Sequence, residues 1–203
     1  MIWAFIILFL ATFAMGVIGA PQWGLFILFF FFLAYFFMFY YYPVLFGRNA
    51  DKIKHYLRKS KIPNYQFCYQ LLYSNEAEAE KTLNRIKQKT GRNQANVMLF
   101  TKQKKYKEAK ALLSKMKDNK FKSYYSAVIS LHEGNQNAYN SYKEQIKDTV
   151  YLSWLEAEEL VLEGNQNEAI AILDEQIKHL RGLKLLSAVH YRDSMTNGSV
   201  GLN

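Results

Sequence analysis

The segment Glu163-Gly164-Asn165-Gln166-Asn167-Glu168-Ala169-Ile170 echoes Glu133-Gly134-Asn135-Gln136-Asn137-Ala138, thirty residues earlier. Self-similarity at a fixed offset of about 20–50 residues is the mark of stacked repeat architectures. Stepping back by thirty from Glu168 lands on Ala138, Glu108 and Glu78. The same step from Ala169 lands on Tyr139, Ala109 and Ala79, and Leu173 maps onto Leu113 and Leu83. A chain built this way stacks helical hairpins, because each hairpin buries one face alone and needs its neighbours to cover the rest.

The apolar periodicity predicts the helices of these hairpins. The pairs fall at 62–73 with 75–89, 93–102 with 104–118, 121–133 with 135–148, and 150–163 with 165–180. Asn75-x-x-Glu78 and Asn165-x-x-Glu168 have capping-box form. In such a box the Asn accepts from first-turn N–H groups and the Glu reaches back. Gly91 reads as a C′ stop after the first pair, and the third pair reads one residue short before Gln145-Ile146. Residues 183–194 predict one more amphipathic helix, with Leu183, Leu186, Val189 and His190 along one face, capping the open side of the last repeat. Residues 196–203 read as a tail.

The first 46 residues belong to a different solvent. They hold no Asp, Glu, Lys, Arg or His. The runs 2–20 and 25–46 each meet the roughly 20 residues that cross a hydrocarbon core, with Pro21-Gln22-Trp23-Gly24 as the turn between them. The expectation is a two-helix transmembrane hairpin over 1–46, and an all-α chain overall. Gly16-x-x-x-Ala20 is a small-xxx-small pair that brings these helices together or pairs two copies as a homo-oligomer. No ionisable group lies in either run, which argues against transport or intramembrane chemistry.

A basic juxtamembrane segment over 47–61 follows. Arg48, Lys52, Lys54, Arg58, Lys59 and Lys61 face a single Asp51. By the positive-inside rule this places both termini and the charged domain in the cytoplasm, on an integral plasma (inner) membrane protein. Ile53, Tyr56 and Leu57 share a helical face. The six basic residues are candidate contacts to anionic membrane lipids, each worth about 1 kcal/mol near such a surface.

Within the repeat domain expected over 62–195, the hairpins at 62–180 resemble the tetratricopeptide repeat. In that family a small residue sits in the first helix, a Gly closes the turn, and Glu-Ala opens the second helix. The small position falls on Ala127 and Ala157, with Phe67 and Val97 earlier. The turn Gly is Gly134 and Gly164, replaced by Ser74 and Lys104. Glu-Ala recurs at Glu78-Ala79, Glu108-Ala109 and Glu168-Ala169. The period is thirty rather than the family's thirty-four, and the family's helix-ending Pro is absent. The resemblance implies a groove lined by the first helices that holds a protein or peptide partner. Candidate groove residues are Tyr65, Tyr69, Asn96, Tyr124, Tyr125 and Trp154, since Tyr and Trp favour interface hot spots.

No catalytic, cofactor or metal site is expected. Cys68 is the only cysteine, His55, His132, His179 and His190 lack zinc-ligand spacing, and there is no Gly-rich phosphate loop. The charge is uneven: residues 48–122 hold 20 Lys/Arg and 6 Asp/Glu, and residues 123–203 hold 6 and 11. The functional expectation is a membrane-anchored protein–protein interaction scaffold. The dense lysines between Lys81 and Lys122 keep open a membrane-tethered nucleic-acid binder, the lesser reading because attraction to anionic lipid or to an acidic partner explains a membrane-proximal cluster with fewer assumptions. A third reading is an accessory or regulatory subunit of a larger membrane enzyme.

Overall fold

A computed structural model describes residues 9, 10, 12, 14, 16–19 and 21–197. Every regular element among them is a helix. The chain divides into two units, Met1–Gly47 and Arg48–Asn203.

In the first unit, helix α1 runs Gln22–Tyr40 from an N-cap at Pro21, and a short helix α2 runs Tyr42–Phe46. The turn expected at 21–24 is therefore helical from Gln22 onward. The run 25–46 is not one helix, because it breaks at Tyr41. Pro43 causes the break: it has no N–H to continue the ladder, and its ring crowds the carbonyl one turn back. Most of the run 2–20, and Ala20 of the small-residue pair, lie outside the described residues. Among the described residues no helix is long and apolar enough to cross a membrane. This finding corrects the expected two-span hairpin. The integral inner-membrane placement goes with it, as does the orientation argument, which needs a span to orient.

The second unit begins with α3, Ala50–Lys59, followed by α4, Pro63–Tyr73, and α5, Glu76–Leu83. Next come α6, Lys89–Lys102, and α7, Tyr106–Leu113. Helices α8, Lys120–His132, and α9, Gln136–Glu144, form the following pair, then α10, Thr149–Leu162, and α11, Gln166–His179. Helix α12, Gly182–Thr196, ends it. Adjacent helices pack as hairpins, α4 on α5, α6 on α7, α8 on α9 and α10 on α11, an arrangement compatible with a tetratricopeptide-like repeat.

The thirty-residue register is a burial register. Ala79, Ala109, Tyr139 and Ala169 are each 0% exposed. Phe67, Val97, Ala127 and Ala157 are buried on the first helices that these second helices cross. One cluster joins Phe67 and Leu71, Ala79 and Leu83, and Ala95 and Leu99, so the first hairpin is closed by the first helix of the second. The same happens one step on, where Val97, Ala109 and Leu113 meet Ile129 of α8. It happens again where Ala127 and Tyr139 meet Leu155 of α10. Each hairpin thus borrows a helix from the next, which is how a stacked array acquires a continuous core.

The turns repeat as well. Gly134 and Gly164 have φ of 71° and 86°, and Lys104 has φ of 57°. In all three the residue's N–H bonds three residues back and the next N–H bonds five residues back, as in Gly134 to Leu131 and Asn135 to Ser130. This is the Schellman closure, which needs a left-handed residue and so favours glycine. Ser74 departs, with φ of −120° and a bond to Gln70 instead.

Three expectations need correction. Helix α5 stops at Leu83 and α6 starts at Lys89, so Gly91 lies inside a helix and does not end one. The cause is Ile86, which folds back into the first cluster while its N–H bonds to the Leu83 carbonyl. Met116 and Ile146 occupy the same tightened turn thirty and sixty residues on, so the third pair is not short. Finally, the Asn75 side chain accepts from Glu78 N–H at 2.8 Å, but Glu78 receives the Ser74 hydroxyl and does not reach back. Asn165 makes no cap bond at all, whereas Asn135 accepts from Ala138 N–H at 3.1 Å.

Candidate partner-binding face

The first helices carry the aromatic residues singled out above. Tyr124 of α8 stacks on Tyr151 of α10, with ring centroids 4.7 Å apart, and meets Trp154 edge-on at 6.2 Å. Tyr151 and Trp154 pack at 5.7 Å. Tyr125 lies against Phe121 at 4.5 Å. Burial pushes the hydroxyls of Tyr124 and Tyr125 up in pKa, Tyr124 well above its ordinary value. The buried indole Nε1 of Trp154 has no hydrogen-bond partner. Tyr124 thus meets both Tyr125, at 5.2 Å, and Trp154, with Tyr151 packed beside Tyr124 and Trp154. Tyr151 was missed by the sequence reading, although its place on the same helix face as Trp154 was visible at a spacing of three.

Tyr65 and Tyr69 sit on α4, at the other end of the array. Tyr65 meets Tyr56 of α3 at 6.1 Å, and Tyr69 meets Tyr73 at 5.8 Å. Asn96 stands apart, half-buried on α6, with its amide donating to the Arg92 carbonyl at 3.0 Å. Cys68 packs beside the first cluster, and burial raises its thiol to about 11, which leaves it a poor nucleophile.

Helix α12 reaches both ends of the array. It packs on α11 and on α3. Its Leu185, Leu186, Ala188 and Met195 are buried. Tyr191 donates its hydroxyl to Glu158 of α10, and His190 sits edge-on to Tyr73 of α4 at 4.9 Å. Lys184 pairs with Asp148 at 3.2 Å and Arg192 with Asp174 at 3.0 Å. It packs on the second helix of the last pair and reaches α3 and α4 as well. That long-range closure leaves no mark in sequence spacing.

The six candidate lipid contacts lie on α3 and its two flanks. Ile53 and Leu57 of α3 are buried against the helical unit and not held toward a surface. Lys54 lies over the Tyr73 ring, 4.1 Å from its centroid. Arg48 and Lys52 are exposed at the start of α3, and Arg58, Lys59 and Lys61 at its end. The lysine-rich stretch between Lys81 and Lys122 is also divided, with Lys104, Lys105 and Lys107 at the turn within a hairpin and Lys87, Lys115 and Lys117 at the turns between hairpins. Among the described residues no group of three or more His, Cys, Asp or Glu is placed to hold a metal ion.

The fold defines an array of packed α-hairpins closed by a terminal helix. Comparison with family models, curated proteins and solved structures found no match.

Proposed function

We propose that the helical unit is a non-enzymatic interaction scaffold, a tetratricopeptide-like array that holds a segment of a partner protein against the aromatic face of its first helices. The observation that carries the reading is the Tyr124–Tyr151–Trp154 cluster on two successive first helices, with an indole N–H that lacks an acceptor. Aromatic anchors of this kind supply large contact area at small entropic cost. The thirty-residue burial register supports a surface that is repeated and extended, suited to a chain segment more than to a small molecule.

The test is a crosslinked pull-down with the full-length chain, comparing wild type with Trp154→Phe and with a Tyr124→Ala, Tyr125→Ala, Trp154→Ala variant. Trp154→Phe keeps an aromatic ring and removes the N–H together with part of the indole. The reading expects one defined protein partner, weakened by Trp154→Phe and lost in the triple variant. An unchanged partner set in a folded triple variant would overturn it.

A further inference from the structure

Short turns join successive helices of the second unit, the arrangement that sets neighbours antiparallel and puts the turns at two opposite ends. One end collects the turns between hairpins, 60–62, 84–88, 114–119, 145–148 and 180–181. The other collects the turns within hairpins, 74–75, 103–105, 133–135 and 163–165. Their charges differ. The between-hairpin turns hold Lys61, Arg85, Lys87, Lys115 and Lys117, with Lys147 and Arg181 further on. Their two carboxylates, Asp118 and Asp148, are already engaged, the first by Lys122 and the second by Lys120 and Lys184. The within-hairpin turns hold Lys104 and Lys105 against Glu133 and Glu163.

Lys61, Lys87, Lys115, Lys117, Lys147 and Arg181 are all exposed, and among the described residues none is ion-paired with a carboxylate. A cavity of about 510 Å³ opens at this end between the third and fourth of these turns, with Lys120 and Lys147 on its wall beside Asp118 and Asp148. Among the described residues of the second unit, the one large apolar side chain that is strongly exposed is Leu162, at the opposite end.

We propose that this basic end is a docking surface for the phosphate backbone of a nucleic-acid duplex, independent of the partner-binding face above. Cations that recur over successive hairpins call for a partner whose charge is continuous, and a duplex carries one charge per about 1.7 Å of its axis. A protein partner would need an apolar centre, and interface cores are depleted in lysine. A single strand would need exposed rings on which bases stack. The turns offer neither. Lysine is a point charge without the bidentate geometry that reads base edges, so the binding is electrostatic and indifferent to sequence.

The test uses the full-length chain and a fluorescent duplex of roughly 24 base pairs, titrated across a range of salt. A variant carrying Lys87→Gln, Lys115→Gln, Lys117→Gln and Lys147→Gln removes four charges from the basic end. A control carrying Lys52→Gln, Lys104→Gln, Lys105→Gln and Lys107→Gln removes four from the other end and has the same net charge. The wild type binds with affinity that falls steeply with salt. The first variant binds about tenfold or more weakly at about 100 mM salt, with a log–log slope shallower by about 3. The control stays within about threefold of wild type at the same salt. Equal losses in both variants would overturn the proposal, as would a wild type that does not bind. Phosphatidylserine vesicles that displace the duplex at equal phosphate would reassign the surface to lipid and overturn it too.

Discussion

Tyr191 on the last helix donates its hydroxyl to Glu158 on the first helix of the fourth hairpin, while His132 Nε2 lies 2.8 Å from the carboxylate's other oxygen. Burial and the Glu158 charge hold the tyrosine hydroxyl well above its ordinary pKa, so it stays a donor. Tyr191→Phe removes the donor and leaves one carboxylate oxygen unpaired. The expected loss is about 1.5–3 kcal/mol, toward the lower value because water still reaches Glu158. Chemical denaturation of the full chain measures it.

Two asparagines that look equivalent in sequence should behave differently. Asn135 caps α9 through the Ala138 N–H, and Asn165 makes no such bond to α11. Asn135→Ala is expected to cost about 1 kcal/mol and Asn165→Ala only a few tenths. Paired denaturation curves decide.

Gly91 lies within α6 at ordinary backbone geometry. A Cβ added there meets its nearest neighbours, Asn64, Ile86 and Gln88, at 3.7 Å, an ordinary contact. Gly91→Ala is therefore expected to stabilise the domain by about 0.5–1 kcal/mol, through a lower entropy of the unfolded chain. Thermal denaturation should show an upward shift.

Lys104 holds the left-handed position that glycine holds at 134 and 164. A left-handed non-glycine residue costs about 1–2 kcal/mol. Lys104→Gly should recover part of this, on the order of 1 kcal/mol after the extra freedom of the unfolded glycine is set against it. Gly134→Ala should lose a similar amount. The two thermal shifts should have opposite sign.

His190 carries the acid sensitivity. Burial lowers its pKa from the ordinary 6.5, as do the nearby Lys102 and Lys54, and Asp193 opposes them in part. The folded state thus binds the proton less readily than the unfolded state. Stability is complete above about pH 6.5 and declines as the pH falls toward the lowered value. His190→Gln removes this dependence. Stability measured between pH 7.5 and about 5 should decline less for the variant than for wild type across that window.

How much of this was legible depends on the range of the contacts. The repeat register was, because Ala79, Ala109 and Ala169 mark helix crossings with a small side chain, and Tyr139 keeps the position although it breaks the residue type. The glycine turns at 134 and 164 were legible for the same local reason. Lys104 concealed a third such turn, since nothing in a lysine announces a positive φ. Gly91 misled because glycine also ends helices, and only the burial of Ile86 shows where α5 stops. Among the candidate site residues, Tyr124, Tyr125 and Trp154 converge, while Asn96 does not join them. The reach of α12 to α3 joins elements more than a hundred residues apart, and no local pattern encodes it. The apolar residues 1–46 read as two spans from composition, but Pro43 divides the second run, and among the described residues no helix is long and apolar enough to cross a membrane.

The most direct test of the scaffold reading is photo-crosslinking from defined positions in the full-length chain. p-Azidophenylalanine replaces Tyr69 or Tyr151, where it keeps the ring, and Lys107 on the exposed side of α7 as a control. The account predicts one protein adduct from positions 69 and 151 and none from position 107. Adducts from position 107 alone, or none from any position under conditions where the pull-down recovers its partner, would contradict it.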